Sequence, residues 1–461
     1  MNFSLTTFWK VMAVAVVMIL FNDKAFAQMS EGGTPPSFRY KSTLRSLDTV
    51  MQNRLPALDM RKVEEEDKED ARNGRNPRAG YGLPANTDVL KEGTWTKLPS
   101  GEYICRYQFK CEDAVVLSLL FSNFKLTDGD KLFVYNEDGS HVQGAFTSAN
   151  NKSSGKFATA MLVGNSITLE LVSNTTKENN TSIIEISYVV NYYIYKDKIG
   201  SRANNVPCQL SGDCQVSINC PEGAGFRDVG NGVARIVFPR GGGSVSFCSG
   251  SLINNTRFDA SPLFLTANHC IQSDGNKDGD FTDNVDLFYD ADSGMGESKA
   301  DDWMFYWNFD GPECGIRCDA NEIIDAKTTT GAYVLANDNA FASSDFALLY
   351  LVENPICDNE INAQLNGWDN SNIIYGNSIG IHHPIGDFKM IATDFDSPIN
   401  SSSKYKTVKF DETSTNHHSV TEGGSSGSPI FNANKLIFGQ LRGVNVSCGL
   451  PDFPPCCDLK R

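Results

Sequence analysis

Short apolar runs, many with every second position filled, recur along this chain from about residue 100 onward. Tyr103-Ile-Cys-Arg-Tyr-Gln-Phe109 alternates loosely, and Ala114 to Phe121 is the continuous apolar run of a buried strand. Lys131-Leu-Phe-Val-Tyr135 ends at a turn signal, Asn136-Glu-Asp-Gly139. Ser166-Ile-Thr-Leu-Glu-Leu-Val172 alternates cleanly, and Ile183 to Tyr195 is β-branched and aromatic. Strands of this kind with turns between them predict a small antiparallel β-sandwich over 86–200. The polar stretch 196–207 then reads as a domain boundary open to proteolysis. From Cys208 the texture changes to many short apolar runs and glycines with little helical periodicity, which predicts a second all-β domain over 207–461. Residues 28–85 lack periodicity. Their charge-dense part, Arg61 to Arg78, predicts a solvated linker or a short charged helix.

The first residues carry a different signal. Lys10 supplies positive charge, Val11 to Phe21 is apolar, and Ala25-Phe26-Ala27 is a small-x-small cleavage site before Gln28. This predicts a secretory signal peptide over 1–27 and an exported, soluble mature protein. No apolar run reaches the roughly 20 residues a membrane helix needs, so membrane partners are not expected. The 13 cysteines suit an oxidising compartment, and their odd number leaves one without a partner in the chain. A formal charge of −16 argues against nucleic acid and for encounter with cationic peptides.

Three segments carry candidate chemistry. Thr421-Glu-Gly-Gly-Ser-Ser-Gly-Ser-Pro-Ile-Phe431 packs small residues into a tight turn before an apolar run. Such a turn lets a serine stand clear of the backbone while backbone N–H groups converge beside it. Pro262-Leu-Phe-Leu-Thr-Ala-Asn-His-Cys270 delivers His269 at the end of an apolar strand, and a Cys248–Cys270 disulfide would clamp that loop. Ser343-Ser-Asp-Phe-Ala-Leu-Leu-Tyr-Leu351 places Asp345 at the start of another strand, where a carboxylate can orient an imidazole. A fourth stretch, Asp274-Gly-Asn-Lys-Asp-Gly-Asp, sets oxygen-bearing Asp274, Asn276, Asp278 and Asp280 at alternate positions with Gly279 between, as in a calcium loop. Position 12 is Val285, with Asp283 or Asp286 to compensate; the alternative is a solvated acidic turn.

The order His, Asp, Ser is that of the chymotrypsin-type serine proteases. From about Ser211 to Gly449 the chain resembles the trypsin-like fold and, more closely, the bacterial lysyl endopeptidase family. The resemblance is carried by Ser211-Gly-Asp-Cys-Gln-Val-Ser-Ile-Asn-Cys-Pro-Glu-Gly223, Tyr306-Trp-Asn308, Ser344-Asp-Phe346, Ile381-His-His-Pro384, the serine turn and Gly439-Gln-Leu-Arg-Gly443. It implies an all-β, chymotrypsin-like double β-barrel protease domain preceded by a β-sandwich-like propeptide domain. His269 would be the general base, Asp345 its orienting carboxylate, Ser426 the nucleophile, and the amides of Gly424 and Ser426 the oxyanion hole. It implies disulfides Cys248–Cys270, Cys214–Cys448 and Cys220–Cys314, leaving Cys208, Cys318, Cys357, Cys456 and Cys457 unassigned; Cys105 and Cys111 could pair locally. The family cleaves after lysine with an aspartate at the base of its pocket. Asp458 stands at about the matching place, with Asp452 as a substitute, so the expected substrates are polypeptides with Lys or Arg at the cleaved position. No cofactor is required for this chemistry, and calcium would be structural. Lys198-Ile199 and Arg202-Ala203 are candidate cuts that would release the propeptide, itself a partner of the protease. The chain stops at Arg461, where trypsin-like proteases continue into a strand and helix, so a truncated C-terminus with an open strand edge is expected. The rival readings are a catalytically silent homologue and an exported β-rich binding or adhesion protein.

Overall fold

Alternating apolar side chains make strands, and strands are the commonest regular structure among the described residues. The computed structural model describes residues 30–42, 44, 46–72, 76–195, 210–271, 300–315, 323, 326–338, 344–358, 360–371, 376–400, 405–411, 420–444, 448 and 456–460. The expected signal peptide and the connecting stretch 196–207 lie outside them. Among the described residues no helix is long and apolar enough to cross a membrane.

The N-terminal unit is a two-sheet sandwich. One sheet runs β1 (Gln52–Leu55), β4 (Tyr103–Cys111), β10 (Ser166–Ser173), β6 (Lys131–Tyr135) and β7 (Val142–Phe146), with β3 (Thr94–Lys97) on β4. All its pairs are antiparallel except β1 with β4. The facing strands are β2 (Arg78–Asp88), β11 (Ile183–Asn191) and β5 (Val116–Lys125), with short β8 (Phe157–Ala158) and β9 (Leu162–Val163). Phe109, Phe121, Phe124, Phe157 and Leu169 fill the space between, the rings of Phe124 and Phe157 stacking at 4.3 Å.

Two features depart from the sequence reading. Residues 28–85 are not only a linker or charged helix: the helix forms over Met60–Arg72, but β1 and β2 flank it and belong to the sandwich. The start of β2 is tied to that helix by Arg78, which reaches Glu66 at 2.8 Å and Asp67 at 2.7 Å. In β10, alternation ordinarily marks one solvated face, yet every residue is buried. Its Glu170 is held by the Ser37 amide at 2.9 Å and the Tyr135 hydroxyl at 2.8 Å, so the polar side of the strand meets polar partners rather than water. Cys105 and Cys111, also in this sheet system, are buried and unbonded.

The C-terminal unit has the two barrels of a chymotrypsin-like protease. In the first, β13 (Val233–Pro239) and β14 (Val245–Ile253) lead to β15 (Leu263–Ala267), β19 (Phe346–Leu351) and β18 (Ala332–Asn337), while β16 (Met304–Trp307) and β17 (Lys327–Thr330) lie beyond β13. They enclose Leu252, Phe264, Trp303, Phe305, Trp307 and Leu349. The second runs β12 (Val216–Ser217), β21 (Met390–Asp394), β20 (Ser378–His382), β24 (Pro429–Phe431), β25 (Ile437–Val444), β26 (Cys456–Lys460), β23 (Tyr405–Lys409) and β22 (Ile399–Asn400). Where an open edge was expected, β26 pairs with both β25 and β23.

The two units share one sheet. β2 pairs with β11 on one side and with β14 on the other, in the register Gly80↔Val245 and Arg78↔Ser246. Beneath that junction Tyr192, Tyr195, Phe247, Tyr306, Phe309 and Phe388 form a common core. Arg235 is buried in it, its guanidinium 3.8 Å from the Phe309 ring centroid and 4.1 Å from that of Tyr306.

Candidate active site

β15 ends in a short 3₁₀ turn, Asn268–Cys270, which presents His269 where the two barrels meet. Asp345 stands immediately before β19, the neighbour of β15. It adopts a left-handed conformation, φ +54°, which Asp tolerates better than most residues. That conformation lets it bond twice to the His269 turn. Oδ1 accepts the His269 amide at 3.0 Å and Oδ2 meets His269 Nδ1 at 2.9 Å, while the Asp345 carbonyl accepts the Asn268 amide at 2.8 Å. The Asp345 side chain is fully buried and that of His269 is 23% exposed. A buried carboxylate on Nδ1 keeps the proton there and leaves Nε2 as a base facing the solvent side. From the second barrel, Gln440 on β25 donates to the Asp345 carbonyl at 3.0 Å, so the carboxylate turn is held from both halves.

The serine turn docks against the same elements. The Ser249 amide of β14 donates to the Ser426 carbonyl at 2.8 Å, and Cys270 Sγ lies 3.9 Å from that oxygen. Gly424 and Gly427 take φ +88° and +82°, angles that side chains rarely adopt. A β-carbon on Gly427 would stand 2.2 Å from Thr266 Oγ1, so only glycine lets the turn settle on β15. The amides of Ser425, Gly427 and Ser428 donate to Glu422, Leu441 and Ser425 carbonyls. Those of Gly424 and Ser426 meet no acceptor among the described residues. An unspent N–H on the half-buried Ser426 and another two residues before it are what an anionic oxygen needs.

Sequence reasoning missed what holds this turn from behind. His382 and His383 are both buried. His382 Nδ1 pairs with the Ser425 hydroxyl at 2.8 Å, and that hydroxyl accepts the Glu422 amide at 3.2 Å. The His383 amide donates to Ser249 Oγ at 3.0 Å, which passes the bond on to the Gly424 carbonyl at 2.9 Å. Burial pushes the His382 imidazole down to about 3 and His383 well below its usual range, so both are neutral at physiological pH. The available signal was Ile381-His-His-Pro384 itself, but a pairing across 43 positions has no local pattern. Glu422 reaches the other way, accepting the Gly212 amide at 3.0 Å and Gln215 at 2.9 Å.

Among the described residues three disulfides brace the unit: Cys248–Cys270 beside His269, Cys214–Cys448 and Cys220–Cys314. They are the pairs the resemblance implies. Cys357 is unbonded and exposed. Asp458 lies in β26, in register with Gly443 of β25 and Thr407 of β23. Asp452 and the proposed calcium ligands Asp274, Asn276, Asp278 and Asp280 lie outside the described residues. The sulfurs of Cys248 and Cys270 approach His269 closely enough to suggest a metal cluster, but their disulfide removes both thiolates as ligands.

Residues 208–454 match the profile of the family described as lysyl endopeptidase, C-terminal domain. A lysyl endopeptidase of Pseudomonas aeruginosa is 25% identical over 402 residues, spanning 81% of this chain and 76% of its own. Among solved structures, a Glu endopeptidase in complex with MPD is 17% identical with a TM-score of 0.30, covering 54% of this chain and 92% of its own. A thermostable serine protease, AL20, from an extremophilic microorganism is 14% identical with a TM-score of 0.30, covering 50% and 92%.

Proposed function

The chain belongs to the lysyl endopeptidase family of serine endopeptidases, and on that ground we propose that it is an exported precursor that cleaves polypeptides after lysine. His269, Asp345 and Ser426 carry the acyl transfer in this reading. Ser426 Oγ attacks the peptide carbonyl while His269 Nε2 takes its proton. The tetrahedral oxyanion rests on the Gly424 and Ser426 amides, each such donor contributing on the order of 3 kcal/mol to the transition state. The intermediate collapses by expelling the amine, which takes the proton back from His269. Water then repeats the sequence on the acyl-enzyme and frees the acid. Asp458 supplies the carboxylate that selects lysine by charge. The observation that carries the reading is the Nδ1–Oδ2 bond of 2.9 Å between His269 and a fully buried Asp345.

The residues before Cys208 act as signal and propeptide. Trypsin assembles its site when a freed N-terminus pairs with an aspartate just before the nucleophile. Ser425 occupies that position and its hydroxyl is already bonded to His382. Cutting the connecting stretch therefore works by removing the N-terminal unit, not by building the serine turn. Three disulfides support export to an oxidising compartment.

Hydrolysis of lysyl, arginyl and glutamyl amides by the secreted protein, with Edman sequencing of its N-terminus, tests the proposal. Lysyl cleavage by a chain starting near residue 200 is expected. No hydrolysis of any of them would favour a silent homologue, and a mature chain beginning near Met29 would remove the propeptide role.

A further inference from the structure

The N-terminal unit reaches the protease unit at a point remote in sequence from the shared sheet. Lys152 follows a 3₁₀ turn of the sandwich, Ser148–Asn150, and reaches Asp301 before β16, Thr330 at the end of β17 and, through it, Glu353 beyond β19. Its ammonium donates to the Asp301 carbonyl and, at 2.9 Å, to Thr330 Oγ1. The Thr330 hydroxyl in turn donates to Glu353 Oε1 at 3.3 Å, and the Thr330 amide to Oε2 at 2.6 Å. The Phe157 ring lies 5.6 Å from the ammonium on its own side. Gly331, at φ +82°, makes the approach possible: a β-carbon there would stand 2.9 Å from Lys152 Nζ. Glu353 is buried, with Lys152 as the cation that offsets it.

A second contact lies over the candidate active site. Asn76 Nδ2 is 3.8 Å from Cys248 Sγ, whose disulfide partner follows His269. The Pro77 ring is so close to the serine turn that a β-carbon on Gly423 would stand 2.6 Å from Pro77 Cγ. Arg240, whose partner Asp70 sits 2.7 Å away on the N-terminal helix, holds the Asn76 carbonyl at 2.8 Å. From there β2 runs antiparallel along the edge of β14, as an extended peptide does when it adds to a sheet.

We propose that the protease unit carries a lysine-ammonium site formed by the Asp301 carbonyl, the Thr330 hydroxyl and the Glu353 carboxylate, and that Lys152 in this site keeps the N-terminal unit bound, with Asn76-Pro77 over the serine turn, after the connecting chain is cut. The partner is the cleaved N-terminal unit itself, and its release, not the cut, opens the site to substrate. A lysine side chain suits the socket because a carbonyl and a hydroxyl accept directly from the ammonium, and the hydroxyl passes the bond on to a buried carboxylate that offsets the charge. The closure half rests on the serine endopeptidase reading; the lysine site does not.

The test uses the full chain with a specific cleavage sequence placed within 196–207. In a Ser426→Ala background, which prevents self-digestion, the cut chain should elute as one complex at micromolar concentration. Adding Lys152→Met should weaken that complex about 30-fold or more, since it leaves Glu353 buried without its cation. Lys152→Glu should separate the pieces outright. Thermal unfolding of the uncut variants checks that both units still fold. Separation of the parent pieces, or Lys152→Met pieces that hold together like the parent, would overturn the lysine site. With Ser426 intact, a fluorophosphonate should label the freed protease piece about tenfold faster or more than the bound one. Equal rates would overturn closure. No labelling of either form would bring down the protease reading and closure together, while elution still decides the lysine site.

Discussion

The serine turn and the seam between the units both bury ionisable side chains, yet they answer to acid in opposite ways. At the serine turn, burial pushes His382 from 6.5 to about 3. At the seam, burial pushes Glu353 from 4.5 up to about 7, with Lys152 pulling the other way. Burial favours the imidazole that has lost a proton, whereas it favours the carboxyl that has kept one. The folded turn therefore refuses protons that the unfolded chain would take, and its stability is present above pH 6.5 and lost as pH falls toward 3. The folded seam holds on Glu353 a proton that the unfolded chain would give up, so this contribution to stability is present below pH 4.5 and lost as pH rises through 7. Bonds within the protease unit position the chemistry, while those across the seam decide whether the chemistry is exposed.

The largest effects should fall on the turn and leave the seam alone. Ser426→Ala should lower kcat by about 10⁶-fold, and Asp345→Asn by about 10⁴-fold through the wrong imidazole tautomer. Neither should change the association of the cut units, as gel filtration would register. A loss of association in either variant would mean that the two regions are not separable.

Ser425→Ala is a smaller blow. It strands the buried His382 Nδ1 and frees the Glu422 amide. A stability loss of about 1–3 kcal/mol is expected from thermal or urea unfolding. Because the Gly424 and Ser426 amides sit on the same turn, kcat should fall while KM changes little. An unchanged kcat would show that His382 supports folding alone.

Smaller still is the seam's pH response. Glu353→Gln should flatten the dependence of the uncut chain's thermal stability on pH between 5 and 8. Glu353 faces Lys152, Thr330 and Asn150; Asp302, beside Lys152, is itself raised to about 6 by burial, which adds in the same direction, while burial lowers Lys152 and works against it. Lys152→Met should move the Glu353 titration higher, because it removes the cation that favours the anion. The same pH dependence in Glu353→Gln as in the parent would remove Glu353 from the seam's response.

Legibility from sequence followed the same divide. His269, Asp345 and Ser426, the proposed triad, each stand near a strand end within a distinctive local pattern, so all three could be singled out as candidates. The strands over 103–195 were readable because their apolar residues repeat at the pleat. Glu170 and Thr168 misled, since polar positions of an alternating strand ordinarily face water; here the N-terminal stretch brings Ser37 to cover Glu170. β1 and β2 were missed within 28–85 because β2, Arg78-Ala-Gly-Tyr-Gly-Leu-Pro, owes its strand form to partners on both sides. Lys152 stands in an Asn-Lys-Ser-Ser-Gly stretch that reads as an ordinary polar turn. Contacts across a seam depend on how two finished surfaces meet, and no spacing along the chain records that.

The account stands on Ser426 as the nucleophile that His269 serves. Titrating the processed protein with a fluorophosphonate, while following lysyl-amide hydrolysis and mapping the adduct by mass spectrometry, tests it directly. The expected result is one adduct per chain on Ser426, with activity falling in step with its occupancy. Hydrolysis that survives full occupancy of Ser426, or an adduct on another residue that tracks the loss, would contradict it.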